Sequence, residues 1–395
     1  MTRVLIIRTD AIGDAILWSG ALERLRGLFP DATIGVLCRN SVAPLYRHCP
    51  FVDDVVPIEY DDARFTESQR DSAIDMANRW KPDLLLNPIR SKHPHGESIV
   101  EGIHAGRRVC IESDTANASA RDIHEFQSRY DRVITSIPEP EFGAVCELKH
   151  HAAFLRGLGD DGDEPVAPRL FLSQDDHDQA ARMLHEHGVS PKDAVVLCPV
   201  GRWRNTHYPG WGDALGLAFR DSEAERVIIA VGTDDARPMI RDIQQAVVGS
   251  PVRVLDFAGK TELRTCLAII AASRVCIGTD TFSTHAACAS GVPNAVLLGG
   301  AFPGRFLPYS PLTHVAMLPL DCYGCDWKCR YERTHCVADI PPEIFAIAIR
   351  RAFDGQAAGE VCAPPAGFNP FDGHRGRYPA VSDSIPLMYH GKPCR

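Results

Sequence analysis

The chain has 395 residues, 45% hydrophobic and 24% charged, with a formal net charge of −9 and a pI near 6.0. That is a globular composition with room for two domains of roughly 150–200 residues each, and the acidic balance excludes a general nucleic-acid binder. No apolar run reaches the ~18 residues of a transmembrane helix, and the opening MTRVLIIRTD reads as a strand start rather than a signal peptide, so the cytoplasm is the expected compartment.

In chain order, Val4–Arg8 is a strand, Thr9–Asp14 a loop and Ala15–Phe29 a helix, with Ile16, Leu17, Ala21, Leu22, Leu25 and Leu28 at helical spacing. Ile34–Cys38, Val52–Ile58, Leu84–Asn87 and Val109–Ile111 read as strands. Ala63–Trp80, Ile99–His104, Asp122–Ser136 and Ala144–Leu158 read as helices. This alternation predicts βαβ units and a parallel sheet. Gly159–Pro168 (GDDGDEPVAP) is acidic and rich in Gly and Pro, as a linker between domains would be.

The alternation then restarts. Helices are expected over Asp175–His187, Trp211–Arg220, Ala236–Val247, Glu262–Ala272, Ser283–Ser290 and Pro341–Phe353. Strands are expected over Ala194–Pro199, Arg226–Val231, Val252–Leu255, Val275–Ile277 and Asn294–Leu298. The expected domains are 1–160, 169–340 and a C-terminal helix and Gly/Pro-rich arm over 341–395. Two doubly wound, Rossmann-like halves facing across a cleft match the GT-B architecture, here with a C-terminal Cys cluster and arm.

The central stretch is VCIGTDTFSTHAACASGVPNAVLLGG over 275–300: strand, polar loop, helix, strand. Ligands of open parallel sheets sit outside the strands' carboxyl ends against helix N-termini. The N–H groups of Thr281 to Thr284 would face such a ligand and favour a phosphate. His285, one turn in, can reach the same anion. Asp280 and Ser283 are equally compatible with ordinary helix caps.

Asp280-Thr281-Phe282-Ser283-Thr284-His285-Ala286-Ala287 resembles the donor-phosphate loop of glycosyltransferase family 9, the bacterial heptosyltransferases, whose pattern is Asp-Thr/Ser-Gly-x-x-His-x-Ala-Ala. Phe282 stands where the family usually has Gly, and a Phe crowds the approach of backbone to a diphosphate. The first βα turn, Arg8-Thr9-Asp10-Ala11-Ile12-Gly13-Asp14, resembles the family's N-terminal Gly-Asp motif. The resemblance implies that Asp14 is the general base taking the acceptor hydroxyl's proton, which requires it within hydrogen-bond reach of that oxygen. Gly13 would allow the tight turn, and Asp10 is the rival base. The resemblance also implies acceptor binding by the basic segment after the fourth strand, Arg90 and Lys92.

In Pro199–Trp211 the resemblance is to a loop ending Lys-x-Trp-Pro. Tyr208-Pro209 aligns with Trp-Pro, but Thr206 or His207 holds the Lys position, so the charge on the donor phosphates would come from Arg202 or Arg204. A guanidinium can do this bidentately. Thr233 and Asp234 would reach the donor's ribose or base, and Lys260 its phosphate.

The cysteines Cys322, Cys325, Cys329 and Cys336 fall as Cys-x2-Cys-x3-Cys-x6-Cys. Thiolates at this spacing suit a structural Zn or Fe. Free thiols and disulfides are the other two readings. Some family members carry a comparable cluster here. The remaining cysteines are scattered in apolar runs.

The expected activity is an inverting transfer from a nucleotide-diphospho-sugar, ADP-heptose being one candidate, to a hydroxyl of a glycan, lipid-linked or protein acceptor. No cofactor is required if amides and cations neutralise the leaving phosphates. Peripheral membrane association and oligomeric state stay open. The rival readings are a sugar-nucleotide epimerase or hydrolase, and a non-catalytic scaffold built around the Cys cluster.

Overall fold

The computed structural model describes residues 1–140, 144–201, 206–302, 304–320, 322–326, 328–357 and 362. Apart from Cys362, the expected arm beyond 357 lies outside the described residues. The chain divides into two compact units: Met1–Pro138 with Glu147–Phe171, and Glu139–Cys146 with Leu172 onward.

The first unit contains β1 (Arg3–Arg8), β2 (Thr33–Arg39), β3 (Asp54–Ile58), β4 (Leu84–Asn87), β5 (Arg107–Ile111) and β6 (Arg132–Ile134). They form one sheet in the order β3-β2-β1-β4-β5-β6, with every neighbouring pair parallel. Val4 to Ile7 on the central strand are essentially unexposed. A parallel strand covered on both faces reads as a continuous apolar run for this reason.

The second unit contains β7 (Val195–Cys198), β8 (Arg226–Ala230), β9 (Val252–Asp256), β10 (Val275–Thr279), β11 (Asn294–Leu297) and β12 (Thr313–Ala316). Its order is β12-β11-β10-β7-β8-β9, again all parallel. Both sheets therefore wind in the same way. Successive strands run to one side of the first strand, and the fourth crosses to its other side. The order reverses between β1 and β4, and between β7 and β10, and these are the ligand-binding crevices of such sheets.

Two strands escape the sequence pattern, and each is the last of its sheet. Asp122–Ser136 is not one helix. Ser119 caps a helix over Ala120–Gln127, and the chain then returns as β6, with Val133 opposite Cys110 of β5. The β-branched Val133 and Ile134 suit that pleated edge. Strand β12, Thr313–Ala316, is hidden by its polar Thr and His.

The helix expected over Ala15–Phe29 is two helices, Ile12–Ser19 and Ala21–Leu28, meeting at Gly20. A Cβ on Gly20 would sit 2.0 Å from the Ala167 carbonyl oxygen. The acidic Gly/Pro segment is thus no free linker. It is laid over the first unit, where Arg24 donates to the carbonyls of Glu164 (2.9 Å) and Gly162 (2.6 Å) and pairs with Asp160, and Arg169 N–H donates to Ser19 Oγ (2.8 Å).

In the second unit, the helix Pro342–Phe353 packs against the helix Trp211–Phe219. Tyr208, Trp211 and Phe345 form a buried triangle of edge-to-face rings 5.5–5.9 Å apart. The Tyr208 hydroxyl donates to Ile340 O (3.0 Å) and Trp211 Nε1–H to Pro199 O (3.1 Å), so their polar ends are satisfied within the core.

Gly20→Ala should destabilise the first unit by about 1–3 kcal/mol, because the added methyl displaces backbone rather than a flexible side chain. Urea unfolding of the variant against wild type measures this.

Candidate functional site

The first unit's crevice opens at the turn Thr9-Asp10-Ala11 after β1. The helix starts at Ile12, so Gly13 is its second residue and not the turn itself. Asp14 is the third. Its Oδ2 accepts the Ala11 N–H at 3.3 Å, so the carboxylate caps its own helix and lies at the crevice.

Beneath the turn, Arg8 is fully buried, its guanidinium 2.5 Å from Asp10 Oδ2 and 2.8 Å from the Asp14 main-chain oxygen. Burial raises the Asp10 carboxyl to about 7, opposed by Arg8 and assisted by Asp14. Arg39, at the end of β2, donates to Thr9 O (2.5 Å) and pairs with Asp62. Arg8 and Arg39 were not singled out from the sequence. The signal was present, since an arginine closing a wholly apolar strand must find compensation when buried.

The expected acceptor cations are turned inward. Lys92 Nζ donates to the carbonyls of Ile89 (2.8 Å) and Ile111 (2.6 Å), and burial lowers its pKa. Arg90 is buried with Nη1 2.9 Å from His150 Nε2. Both tie the loops after β4 and β5 to the body of the unit.

The second unit's crevice lies between β7 and β10. After β10, Asp280 leads to Thr281, the N-cap of the helix Phe282–Ala289. Thr281 is extended and its side chain caps nothing. Its hydroxyl turns instead to Ser283 Oγ (3.0 Å) and Thr279 O (3.4 Å), while Thr284 Oγ1 donates to Thr279 O (2.8 Å). An α-helix leaves its first amides without intrahelical acceptors, and here no side chain at the N-cap position takes them.

His285 is buried, with Nδ1 3.3 Å from the Tyr309 hydroxyl and its ring stacked on Tyr309 at 5.9 Å and 10°. Nε2 lies 3.7 Å from Asp280 Oδ1. Burial pushes the imidazole down to about 3, so it is neutral near pH 7. The loop after β7 closes on this turn: a Cβ on Gly201 would meet Thr206 Oγ1 at 2.5 Å and Thr281 Cγ2 at 2.8 Å. Arg202 and Arg204 lie outside the described residues.

The remaining expected donor residues gather at the neighbouring strand ends. Asp234 pairs with Arg237 (2.8 Å) and packs on Gly259, whose N–H donates to Gly232 O (2.9 Å). The Thr233 hydroxyl donates to Asp235. Lys260 Nζ donates to Asp256 O (2.6 Å).

Cys322, Cys325, Cys329 and Cys336 line one pocket together with Gly300, Tyr323 and His335. Cys336 is buried, its Sγ receives the Gly300 N–H at 3.5 Å, and its thiol is pushed up to about 12 by burial, the other three thiols adding to the rise. His335 Nδ1 is 2.5 Å from Asp339 Oδ2. The side chains do not converge: among the described residues no group of three or more His, Cys, Asp or Glu is arranged to hold a metal ion. No helix of the described residues is long and apolar enough to cross a membrane.

The two parallel six-stranded sheets with flanking helices form an α/β, GT-B-like fold. It is similar to a glycosyl transferase family 9 structure from Veillonella parvula (TM-score 0.69, 15% identity, 89% of this chain and 97% of that one) and to Escherichia coli ADP-heptose LPS heptosyltransferase II (TM-score 0.65, 16% identity, 89% and 98%). In sequence the chain is 22% identical over 342 residues to lipopolysaccharide heptosyltransferase 2 of Salmonella typhimurium, covering 80% of this chain and 86% of that one. Residues 147–335 match the model of glycosyltransferase family 9 (heptosyltransferase). Over residues 147–335 the chain thus carries this family's match, and it is a glycosyltransferase.

His285 carries a stability consequence. Its folded pKa, about 3, lies below the ordinary 6.5. Stability from the neutral ring is complete above about 6.5 and is lost as pH falls toward 3. His285→Gln should reduce the fall in unfolding free energy between about pH 6 and pH 4 by close to one proton's worth, up to ~1.4 kcal/mol per pH unit. Chemical denaturation across that range reads the slope, and an unchanged slope would mean the ring is not held neutral.

Proposed function

We propose that the chain is an inverting glycosyltransferase that moves a sugar from a nucleoside-diphospho-sugar, with ADP-heptose as first candidate, to a hydroxyl of a lipopolysaccharide-core type of acceptor. The observation that carries this reading is the helix start at Thr281–Phe282. It stands at the reversal of sheet order with no side-chain cap on its amides and a buried neutral histidine one turn in. Amides and a neutral imidazole N–H suit a diphosphate whose charge grows as the glycosidic bond breaks. Nε2 lies 3.7 Å from Asp280 Oδ1, on the side a donor nitrogen would face. Thr233, Asp234 and Lys260 stand on the adjoining strand ends, where ribose and base would lie.

In the acceptor half, Asp14 removes the hydroxyl proton as that oxygen attacks the anomeric carbon from the face opposite the leaving diphosphate. The orientation of Arg90 and Lys92 makes them supports of the acceptor loops more than direct ligands. A cytoplasmic location and an acceptor presented at a membrane surface are part of the same proposal. ADP should raise the Tm of the purified protein by linkage while GDP, UDP, CDP and dTDP do not. Asp14→Asn should keep that shift and lose about 10²–10⁴ in kcat. A preference for another nucleotide would discard ADP-heptose, and no shift with any would sink the donor site.

We propose that the four thiols, which line one pocket without converging in this structure, draw together around Zn or Fe. Their shared pocket and the Gly300 N–H aimed at Cys336 Sγ support it. The metal would fold the loop onto the body of the unit and take no part in transfer. Metal analysis of the native protein should find about one equivalent of Zn or Fe. Cys325→Ser with Cys329→Ser should remove it and lower Tm. A protein free of both metals, or an unchanged content in the double variant, refutes the centre.

A further inference from the structure

We propose that Asp10 is the positioning residue of the acceptor half: with Arg8 it forms a buried pair clamped to the main chain at Asp14, and this pair sets how firmly Asp14 holds a proton. The inference rests on the reading of Asp14 as the base.

The geometry is specific. One nitrogen of Arg8, Nη2, meets both Asp10 Oδ2 (2.5 Å) and the Asp14 carbonyl (2.8 Å), so charge compensation and backbone position are fixed by the same atom. The pair is also unsaturated. Arg8 Nε and Asp10 Oδ1 are both buried with no hydrogen-bond partner. A salt bridge serving stability alone is expected to have its remaining hydrogen-bonding sites satisfied.

Titratable groups on several elements face the pair, and Glu147 lies 3.7 Å from His151. Cys38 and Arg39 on β2, Tyr46 after it and Tyr60 after β3 act on Asp10, and His151 on the helix Glu147–Leu158 acts on Arg8. Burial pushes the Cys38 thiol up to about 12, raises both tyrosines and lowers His151 to about 3, so all four are neutral near pH 7. Arg39 is paired with Asp62. Arg8 and Asp14 are the charged groups that act most on Asp10, with Arg39 after them.

The sign follows. With Asp10 ionised, Arg8 is compensated and Asp14 faces a neighbouring carboxylate, which raises its proton affinity. When Asp10 takes up a proton, the Arg8 charge is uncovered and Asp14 becomes a weaker base. Asp10 thus acts through Arg8 and Asp14.

The test uses the full-length protein labelled with 13C at the Asp carboxyl carbons, titrated by NMR without donor or acceptor. In wild type, the Asp10 and Asp14 resonances should both titrate in two steps, as coupled groups do. In Asp10→Asn, the Asp14 midpoint should fall by about one to three units, and Asp10→Glu should restore most of the shift. Where turnover is measured, the acid limb of kcat/KM should move the same way in both variants. Single-step curves in wild type, or an Asp14 curve unchanged in Asp10→Asn, overturn the proposal. The wild-type titration decides even if the Asn variant fails to fold. Because no sugar nucleotide is present, an inactive protein would sink the reading of Asp14 as the base in transfer and leave the measured coupling standing.

Discussion

A doubly wound parallel sheet has one place where neighbouring strands send their chains to opposite sides. No helix fills the space above it, so loops and helix starts converge there with their polar groups exposed to a ligand. In this chain the constraint acts twice, between β1 and β4 and between β7 and β10. Every residue given a chemical role above stands on a loop or first helical turn at one of these reversals or on the strand ends next to them. The rest of each unit holds those few backbone segments still. Burying Arg8 under one turn and closing Gly201 onto the other are two instances.

The two crevices solve different electrostatic problems with similar parts. Above β1, two carboxylates share a region with a buried guanidinium, which favours holding and releasing a proton. Above β10, the polar groups are an uncapped helix start and an imidazole kept neutral by burial, which favours accepting negative charge without bringing a counter-ion. Proton affinity on one side and anion stabilisation on the other are the two requirements of glycosyl transfer to a hydroxyl.

Much of this was legible in the sequence because parallel strands carry uninterrupted apolar runs, and the loops after them carry Gly, Asp and Thr. Leu84–Asn87 was read to the residue, and the strand-loop-helix order of 275–290 holds. The misses have a common origin. β6 and β12 are the outermost strands of their sheets and are short, with few apolar residues to mark them, and β12 is bridged on its far side by Cys362. The inward turn of Lys92 was invisible, since a lysine in a polar segment has no local mark of whether its ammonium meets solvent or two carbonyls. Asp10 was visible only as a rival to Asp14. Its partnership with Arg8 depends on a contact across the turn, which spacing alone does not encode. The same holds for Tyr309, which reaches His285 from a separate loop.

The strap over 159–169 bears on how such enzymes exchange parts. It follows the last helix of the first unit and resembles punctuation, yet Gly20, Ser19 and Arg24 are shaped to receive it. A recombination joining the front half of one relative to the back half of another at residue 158 would import a foreign strap onto this seat. A crossover past Phe171 would carry the strap with the surface it fits. The heritable boundary therefore lies a dozen residues beyond the last helix, and a hybrid's viability depends on which side of the strap the join falls.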